Sequence, residues 1–437
     1  MKPPLERRLA VLIAPSGFKE ALSASAVAHA MATGVRRALP DARILMSPMI
    51  DGGEGFTEAL VAKTGGAIHR VHVTGPVGEP VEACFGMLGG SGPRTAAVEV
   101  AAAAGLALVP NDRRDPTRTT SYGVGELILA ALDHGAQEIL VGCGDSGIND
   151  AGAGMAQALG ARLLDEAGSD IAFGGAALAR LRRVDLSGCD PRLRSVRIRA
   201  AVNWHNVLLG ERGVTRVYAA QKGASAEQVA ELEAALQNFA ARVRDATGID
   251  VAHAPGTGAS GGLGAGLVAF AGAELHSRFD LLLGYTDFDE FLRCADLVLT
   301  AEGELDGRSV LGKVPAEVGR RAAARGVPAI ALAGSIGTGS DVVLDHGIDA
   351  FASILDRCCT QAEAIGNSAT LIERATEATM RMVAVGARIR ARETAIPAAP
   401  ADAPAPDARA ARQTPAAAPG GTRPDRASRS RETPSVS

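Results

Sequence analysis

Four glycine-rich stretches, with carboxylates scattered among them, recur along the chain where one element of regular structure gives way to the next. They are Asp51-Gly52-Gly53-Glu54-Gly55, Gly142-Cys143-Gly144-Asp145-Ser146-Gly147-Ile148-Asn149-Asp150, Gly256-Thr257-Gly258-Ala259-Ser260-Gly261-Gly262 and Glu302-Gly303-Glu304-Leu305-Asp306-Gly307. Glycine lets backbone approach a ligand closely, and its amides can cradle an anion. Acids in such loops repel phosphate unless a cation lies between them, so glycine with carboxylate points to a metal–nucleotide site.

The segments around these loops read as β-loop-α. Residues 9–14 form an apolar run of strand length, and Ser23 or Ser25 caps a helix carrying Val27, Ala28, Met31 and Val35 at helical spacing. A second strand over 44–50 runs into the Asp51 loop, and a helix follows over 56–63. Residues 68–110 hold short runs between Gly/Pro turns, the pattern of antiparallel pairing. A helix over 125–132 and a strand over 138–141 come next. From 296 onward the plain β-loop-α rhythm returns, with strands expected at 297–300, 329–333 and 350–354. The two ends match each other better than either matches the middle. The expectation is an open, mostly parallel α/β domain built from residues 1–75 and 280–390, with a second α/β domain inserted over 76–279. Residues 394–437, rich in Ala, Pro and Arg without periodicity, are expected to be a disordered tail.

Composition narrows the function. Aromatics are 3% of the 437 residues and the formal net charge is −4, which argues against the stacking surfaces of single-stranded nucleic-acid binding and against a basic footprint for DNA or an anionic membrane. No apolar run reaches membrane-span length and no signal peptide is evident, which favours a cytoplasmic protein, monomeric or homodimeric, acting on a small molecule. The six cysteines show no zinc spacing, and the eight histidines form no metal-binding set.

Several motifs admit competing readings. Gly142-Cys-Gly144-Asp-Ser-Gly147, with a helix expected over 149–159 and Asp165 beyond it, matches a dinucleotide fingerprint. An NAD-dependent oxidoreductase is therefore one alternative, although Asp145 and Asp150 would repel a pyrophosphate. Gly307 to Lys313 falls one residue short of a P-loop, because Val314 stands where a Mg²⁺-binding hydroxyl is needed. Asp51 and Glu54 have the spacing of a helix-capping box, but capping does not require the two glycines between them. Only five of the 45 basic residues are lysine, and Lys19, Lys222 and Lys313 lie in glycine-containing loops, where a compact ammonium suits phosphate.

Five motifs in order then carry a resemblance: Ala-Pro-Ser-Gly-Phe-Lys-Glu-Ala-Leu-Ser-Ala from Ala14, Pro-Met-Ile-Asp-Gly-Gly-Glu-Gly from Pro48, Gly-Val-Gly-Glu-Leu-Ile from Gly123, Gln-Lys-Gly-Ala from Gln221 and Ala-Glu-Gly-Glu-Leu-Asp from Ala301. Over residues 9–385 the chain resembles the type I glycerate kinase family. The resemblance implies an α/β nucleotide-binding-like domain with a second α/β domain inserted, and Mg²⁺- and ATP-dependent phosphorylation of D-glycerate, commonly at the 2-hydroxyl. The chain departs from the family pattern at residues 16–19, at 144–152 and at Asn203-Trp204-His205-Asn206-Val207-Leu208, so a related hydroxy acid is an alternative substrate. A non-catalytic sugar-acid sensor on the same scaffold is a further alternative.

On this reading Glu302 and Asp306 hold the metal, and Lys313 with Gly256, Gly258, Gly261 and Gly262 holds the nucleotide phosphates. Asp51 and Glu54 serve as general base or metal ligand. Lys19 and Lys222 bind the substrate carboxylate or the transferring group, with Ser16 and Gln221 beside them. Asp145, Asn149 and Asp150 line the cleft from the inserted part.

Overall fold

The computed structural model describes residues 8–18, 21–49 and 52–395. The chain begins with β1 (Ala10–Ile13), α1 (Ala24–Ala38) and β2 (Arg43–Met46), then enters α2 (Phe56–Thr64). Next come β3 (Ala67–Thr74), β4 (Pro80–Met87), β5 (Thr95–Glu99), β6 (Glu138–Gly142), β7 (Arg162–Leu164), β8 (Arg183–Asp185), β9 (Arg197–Val202) and β10 (Glu274–Ser277). It closes with β11 (Leu297–Leu305), β12 (Ala329–Ile336) and β13 (Ala350–Ser353), followed by the helix Ser368–Ala395.

Two sheets result, and the fold is α/β and mostly parallel. The first has the order β13-β12-β11-β1-β2 with every pairing parallel. The second has the order β10-β9-β6-β5-β4-β3, parallel from β10 to β5, with β4 antiparallel to both its neighbours. A short hairpin joins β7 and β8.

Parallel strands covered on both faces must be apolar on both faces. In the first sheet Leu12, Ala14 and Val298 pack on one side, with Val314 and Val318 of the helix Val314–Ala323. Val11, Ile13 and Leu299 pack on the other, against Val27, Met31 and Val35 of α1. In the second sheet Ala97, Leu140 and Ala201 meet Phe56 and Leu60 of α2, while Val98, Ile139 and Val202 face the opposite core. The cap of α1 is Ser23, whose side chain accepts the Ala26 N–H at 3.3 Å.

The sheets change over earlier than residue 75. α2 lies on the second sheet, and β3 pairs residue for residue with β4, from Ala67 with Met87 to Thr74 with Pro80. The crossing therefore falls between β2 and α2, in the glycine turn that the sequence marks. β2 ends at Met46, short of the expected 50, although Ser47 N–H and Met49 N–H go on bonding Ile13 O and Pro15 O alongside the segment that follows β1. β11 runs longer than expected: Glu302 and Glu304 are still paired with Ala333 and Ser335 of β12, so this stretch is strand before it becomes a turn. The tail beyond Ala395 lies outside the described residues.

Candidate active site

The loop after β2 meets the ends of β6 and β9, and the turn after β11 is tied to the residue that follows β9. The outer ends of parallel strands are where open α/β sheets bind ligands.

Residues 52–55 stack backbone-to-backbone on residues 142–145. A Cβ on Gly144 would sit 2.5 Å from Gly53 Cα, and one on Gly142 would sit 2.9 Å from Gly52 O and 2.6 Å from the Phe56 ring. The glycines at these positions are thus required for two loops to touch. The contact brings two acids together: the Glu54 N–H donates to Asp145 Oδ2 at 3.1 Å. Asp145 holds a left-handed φ of 47°, a conformation uncommon outside glycine and one that Asp tolerates better than most.

The third glycine of this stretch, Gly147, also faces protein, since a Cβ there would meet Val109 Cγ2 at 2.8 Å. No helix opens at it; the next helix, Ala153–Ala158, starts several residues later. A dinucleotide fingerprint needs a helix N-terminus at that point, so the oxidoreductase reading loses its geometry.

Asp150, expected to line the cleft, is fully buried and has a different task. It accepts from Ser121 N and Ser121 Oγ, both at 2.8 Å, from Gly152 N at 3.1 Å and from Gly154 N at 3.2 Å. Ser121 Oγ in turn accepts Met155 N at 2.9 Å. The carboxylate ties the start of one helix to the start of another, which removes it from the list of bases. Burial pushes its pKa up, and the Ser121, Gly152 and Gly154 hydrogen bonds pull against that. Asn149 is buried as well: its Nδ2 donates to Thr215 Oγ1 at 3.0 Å, and its Oδ1 has no hydrogen-bond partner among the described residues.

Lys222 is 4% exposed. Its ammonium donates to Ile148 O at 2.6 Å and Ser146 Oγ at 3.1 Å, so it braces the Asp145 loop from behind and does not project into the cleft. Burial pulls its pKa down to about 7, with the Asp150 charge opposing. Gln221 beside it is exposed. Ser16 is buried against β11, with both its N–H and its Oγ donating to Ala301 O, at 2.9 Å and 3.1 Å. Lys19 and Asp51 lie outside the described residues.

The glycines of 256–262 are also accounted for by packing. Added Cβ atoms would fall 2.6 Å from Val202 Cγ2 at Gly256, 2.1 Å from Val207 O at Gly258, 1.9 Å from Ile148 O at Gly261 and 2.7 Å from Leu208 Cδ1 at Gly262. Ser260, Gly261 and Gly262 have consecutive positive φ values of 51°, 69° and 89°, a path closed to most side chains. Gly258 N–H already donates to Asn206 O and Gly262 N–H to Gly258 O. Packing thus requires glycine at all four positions, and the amides of Gly258 and Gly262 are already engaged.

A cationic turn follows β11. Asp306 accepts from Arg308 Nε at 2.9 Å, and the Lys313 ammonium lies 3.4 Å from Asp306 Oδ1 and 3.0 Å from Glu304 O. Burial works to raise the Asp306 pKa, but the Arg308 hydrogen bonds and the Lys313 charge outweigh it and hold the carboxyl below its ordinary value. Asp306 therefore organises these two cations. The turn is fastened to the second sheet by Asn203 Nδ2, which donates to Leu311 O at 2.9 Å, and by Arg278, whose guanidinium donates to Gly312 O.

Sequence reasoning missed Glu99, Arg308 and Arg278, and marked Asn203 only as a departure from the family pattern. Glu99 ends β5 beside Gly142, is buried, and accepts the Thr57 N–H of α2 at 3.2 Å. Burial raises its pKa to about 8, the Thr57 bond opposes this, and the Glu58 and Glu54 charges add to it. Its signal was positional: a carboxylate closing a strand whose neighbour ends in a glycine loop.

Family comparison agrees with this architecture. The model of the Glycerate kinase family matches residues 11–384. The chain belongs to the glycerate kinase family. Glycerate 2-kinase of Escherichia coli K12 is 45% identical over 378 residues, covering 86% of this chain and 99% of that protein. Glycerate kinase of Halalkalibacterium halodurans is 44% identical over 365 residues, covering 84% and 96%. A crystal structure from Salmonella typhimurium LT2, of a chain provisionally named glycerate kinase 2, superposes with a TM-score of 0.70 at 41% identity, covering 87% of this chain and 100% of that one. No helix among the described residues is long and apolar enough to cross a membrane.

Proposed function

We propose that this protein transfers the γ-phosphoryl group of ATP to the 2-hydroxyl of D-glycerate, releasing 2-phosphoglycerate and ADP. The observation that carries the reading is the convergence of the turn after β2 and the turn after β11 on the ends of β6 and β9. Glu54 meets Asp145 at the first of these turns, and Asp306 holds Lys313 at the second, which Asn203 fastens to the end of β9. The name of the Escherichia coli relative supports the choice of hydroxyl.

Phosphoryl transfer is mainly a problem of positioning and charge. As the glycerate oxygen bonds to the γ-phosphorus, the bond to the β–γ bridging oxygen breaks and the hydroxyl proton must leave. Asp51 and Glu54 are the proposed acceptors of that proton. Asp145 holds Glu54 in place by accepting its backbone N–H. Lys313, Arg308 and Lys19 supply positive charge toward the triphosphate and the substrate carboxylate, with Lys222 bracing the loop behind Asp145.

Mg²⁺ bound with the nucleotide would neutralise phosphate charge and would call for only one or two protein carboxylates. Glu302 suits that demand by donor chemistry. Asp306 is engaged with Arg308 and Lys313. Among the described residues no three acidic, His or Cys side chains form a preformed ion cage. We further propose that the two sheets act as two lobes whose closure excludes water from the reacting phosphate.

The test is ADP release from ATP across a panel of small hydroxy acids, followed by ³¹P NMR of the product. The expected result is turnover with D-glycerate and a 2-phosphoryl signal. No turnover with any acid removes the kinase reading, and a 3-phosphoryl product corrects the site of transfer.

A further inference from the structure

Trp204 is the chain's single tryptophan, and it stands 44% exposed in the loop after β9. A lone exposed aromatic needs no explanation in itself. Its surroundings are what call for one. With His205, Leu275, His276, Ser277 and Asp280 it lines a cavity of about 390 Å³ at the ends of β9 and β10. That volume falls within the ~300–1,000 Å³ of small-molecule sites, and Trp204 and Leu275 supply its apolar surface beside the polar side chains of His205, His276, Ser277 and Asp280.

The cavity adjoins the cationic turn. Asn203, one residue before Trp204, donates to Leu311 O at 2.9 Å. A Cβ on Gly312 would lie 3.0 Å from Asn203 Oδ1 and 3.5 Å from His205 Cδ2. Arg278, one residue after Ser277, donates to Gly312 O. Gly312 therefore sits between the aromatic cavity on one side and Lys313, Arg308 and Asp306 on the other.

We infer that this cavity receives the nucleobase of the phosphoryl donor, with Trp204 as its stacking wall. The inference rests on the kinase reading above and deepens it. A flat aromatic surface beside a cationic turn offers a nucleotide a stacking face for its base and charge for its phosphates, and Trp204 and the Lys313 turn flank Gly312. Glycerate cannot use such a wall, because each of its three carbons carries oxygen and it offers no planar face. Stacking of a base on an aromatic side chain is sequence-tolerant and contributes strongly to affinity.

The single tryptophan makes the test direct. Emission of the full-length protein is titrated separately with ADP, adenosine, inorganic triphosphate and D-glycerate. ADP and adenosine should quench or shift it, whereas triphosphate and D-glycerate should not. In steady-state assays Trp204→Ala should raise KM for ATP about tenfold or more, with KM for D-glycerate moving less than twofold, and Trp204→Phe should recover most of the loss. The exposed position makes misfolding avoidable, and far-UV circular dichroism checks it. Emission indifferent to ADP and adenosine overturns the assignment, as does a response to D-glycerate or to triphosphate alone. Unchanged KM for ATP in Trp204→Ala, with transfer intact, overturns it while leaving the kinase reading standing. Absence of transfer in the wild type would strike the kinase reading itself, and the titration would still decide whether this cavity takes a nucleoside.

Discussion

Gly144→Ala tests the stacked loops with a single methyl group. The backbone of Gly144 has no positive φ, so alanine is conformationally acceptable there, and the effect must come from contact alone. The new Cβ would lie 2.5 Å from Gly53 Cα and 2.7 Å from Gly53 N, and both are backbone atoms that no rotamer change can remove. Ordinary contact begins near 3.4 Å, so the two loops must part by about 3.4 − 2.5 = 0.9 Å. Overpacking of this kind costs about 1–3 kcal/mol, which lowers Tm by a few degrees in a chain of this size. The functional cost should be larger, because a displacement near 1 Å at reacting groups costs ~10²-fold in rate. Purified Gly144→Ala should therefore show a kcat near one hundredth of wild type, with a modest drop in Tm by calorimetry. Gly92→Ala, where nothing lies within 4 Å of the added methyl, is the control and should match wild type in both measurements. Wild-type kcat and Tm in Gly144→Ala would mean that residues 53 and 144 do not touch, and the account of how Glu54 and Asp145 meet would fall with them.

Stability should fall as pH rises from about 4.5 to about 8 through Glu99, whose folded pKa is raised so that the unfolded chain releases its proton first; Glu99→Gln should flatten that part of a Tm–pH profile. Lys222 acts with the opposite sign in the next window: its folded pKa is depressed to about 7, so stability should rise between about 7 and 10.5, and Lys222→Met should abolish the rise. Asp150→Asn should lower Tm clearly, because an amide cannot accept all four hydrogen bonds, while the kcat of the remaining folded protein should stay within about threefold. Lys313→Ala should raise KM for ATP, whereas Val314→Thr should leave it unchanged, since Val314 is a buried first residue of its helix and not the hydroxyl position of a P-loop.

Much of the architecture was legible in the sequence because apolar runs and glycine punctuation are local signals. The strands near 10, 43, 138, 297, 329 and 350 and the Ser23 cap all follow from a few neighbouring residues. What the sequence misled on depends on partners far along the chain. Asp150 looked like a cleft acid because nothing local shows that Ser121, 29 residues earlier, supplies two of its hydrogen bonds. That the glycines of 256–262 are also needed for packing could not be read, because their neighbours at 148, 202, 207 and 208 are visible only in three dimensions. Lys222 carried the right chemistry for substrate, yet burial against Ile148 O and Ser146 turned it inward. Arg308 escaped notice since an arginine after an acid reads as surface charge until its bonds to Asp306 are seen.

The first sheet takes strands from both ends of the chain, and that arrangement sets a timetable for synthesis. β1 is an interior strand, yet one of its neighbours, β11, emerges long after it: Thr300 Oγ1 donates to Ala14 O across 286 residues. At ~5–20 residues per second the ribosome needs roughly 15–60 s to cover that distance. Every strand of the second sheet leaves the exit tunnel within that interval. β1 and β2 must meanwhile wait with one side of β1 unpaired, an open edge on which wrong partners can settle. The nascent chain therefore has a defined window of vulnerability that closes only when residues 297–305 appear.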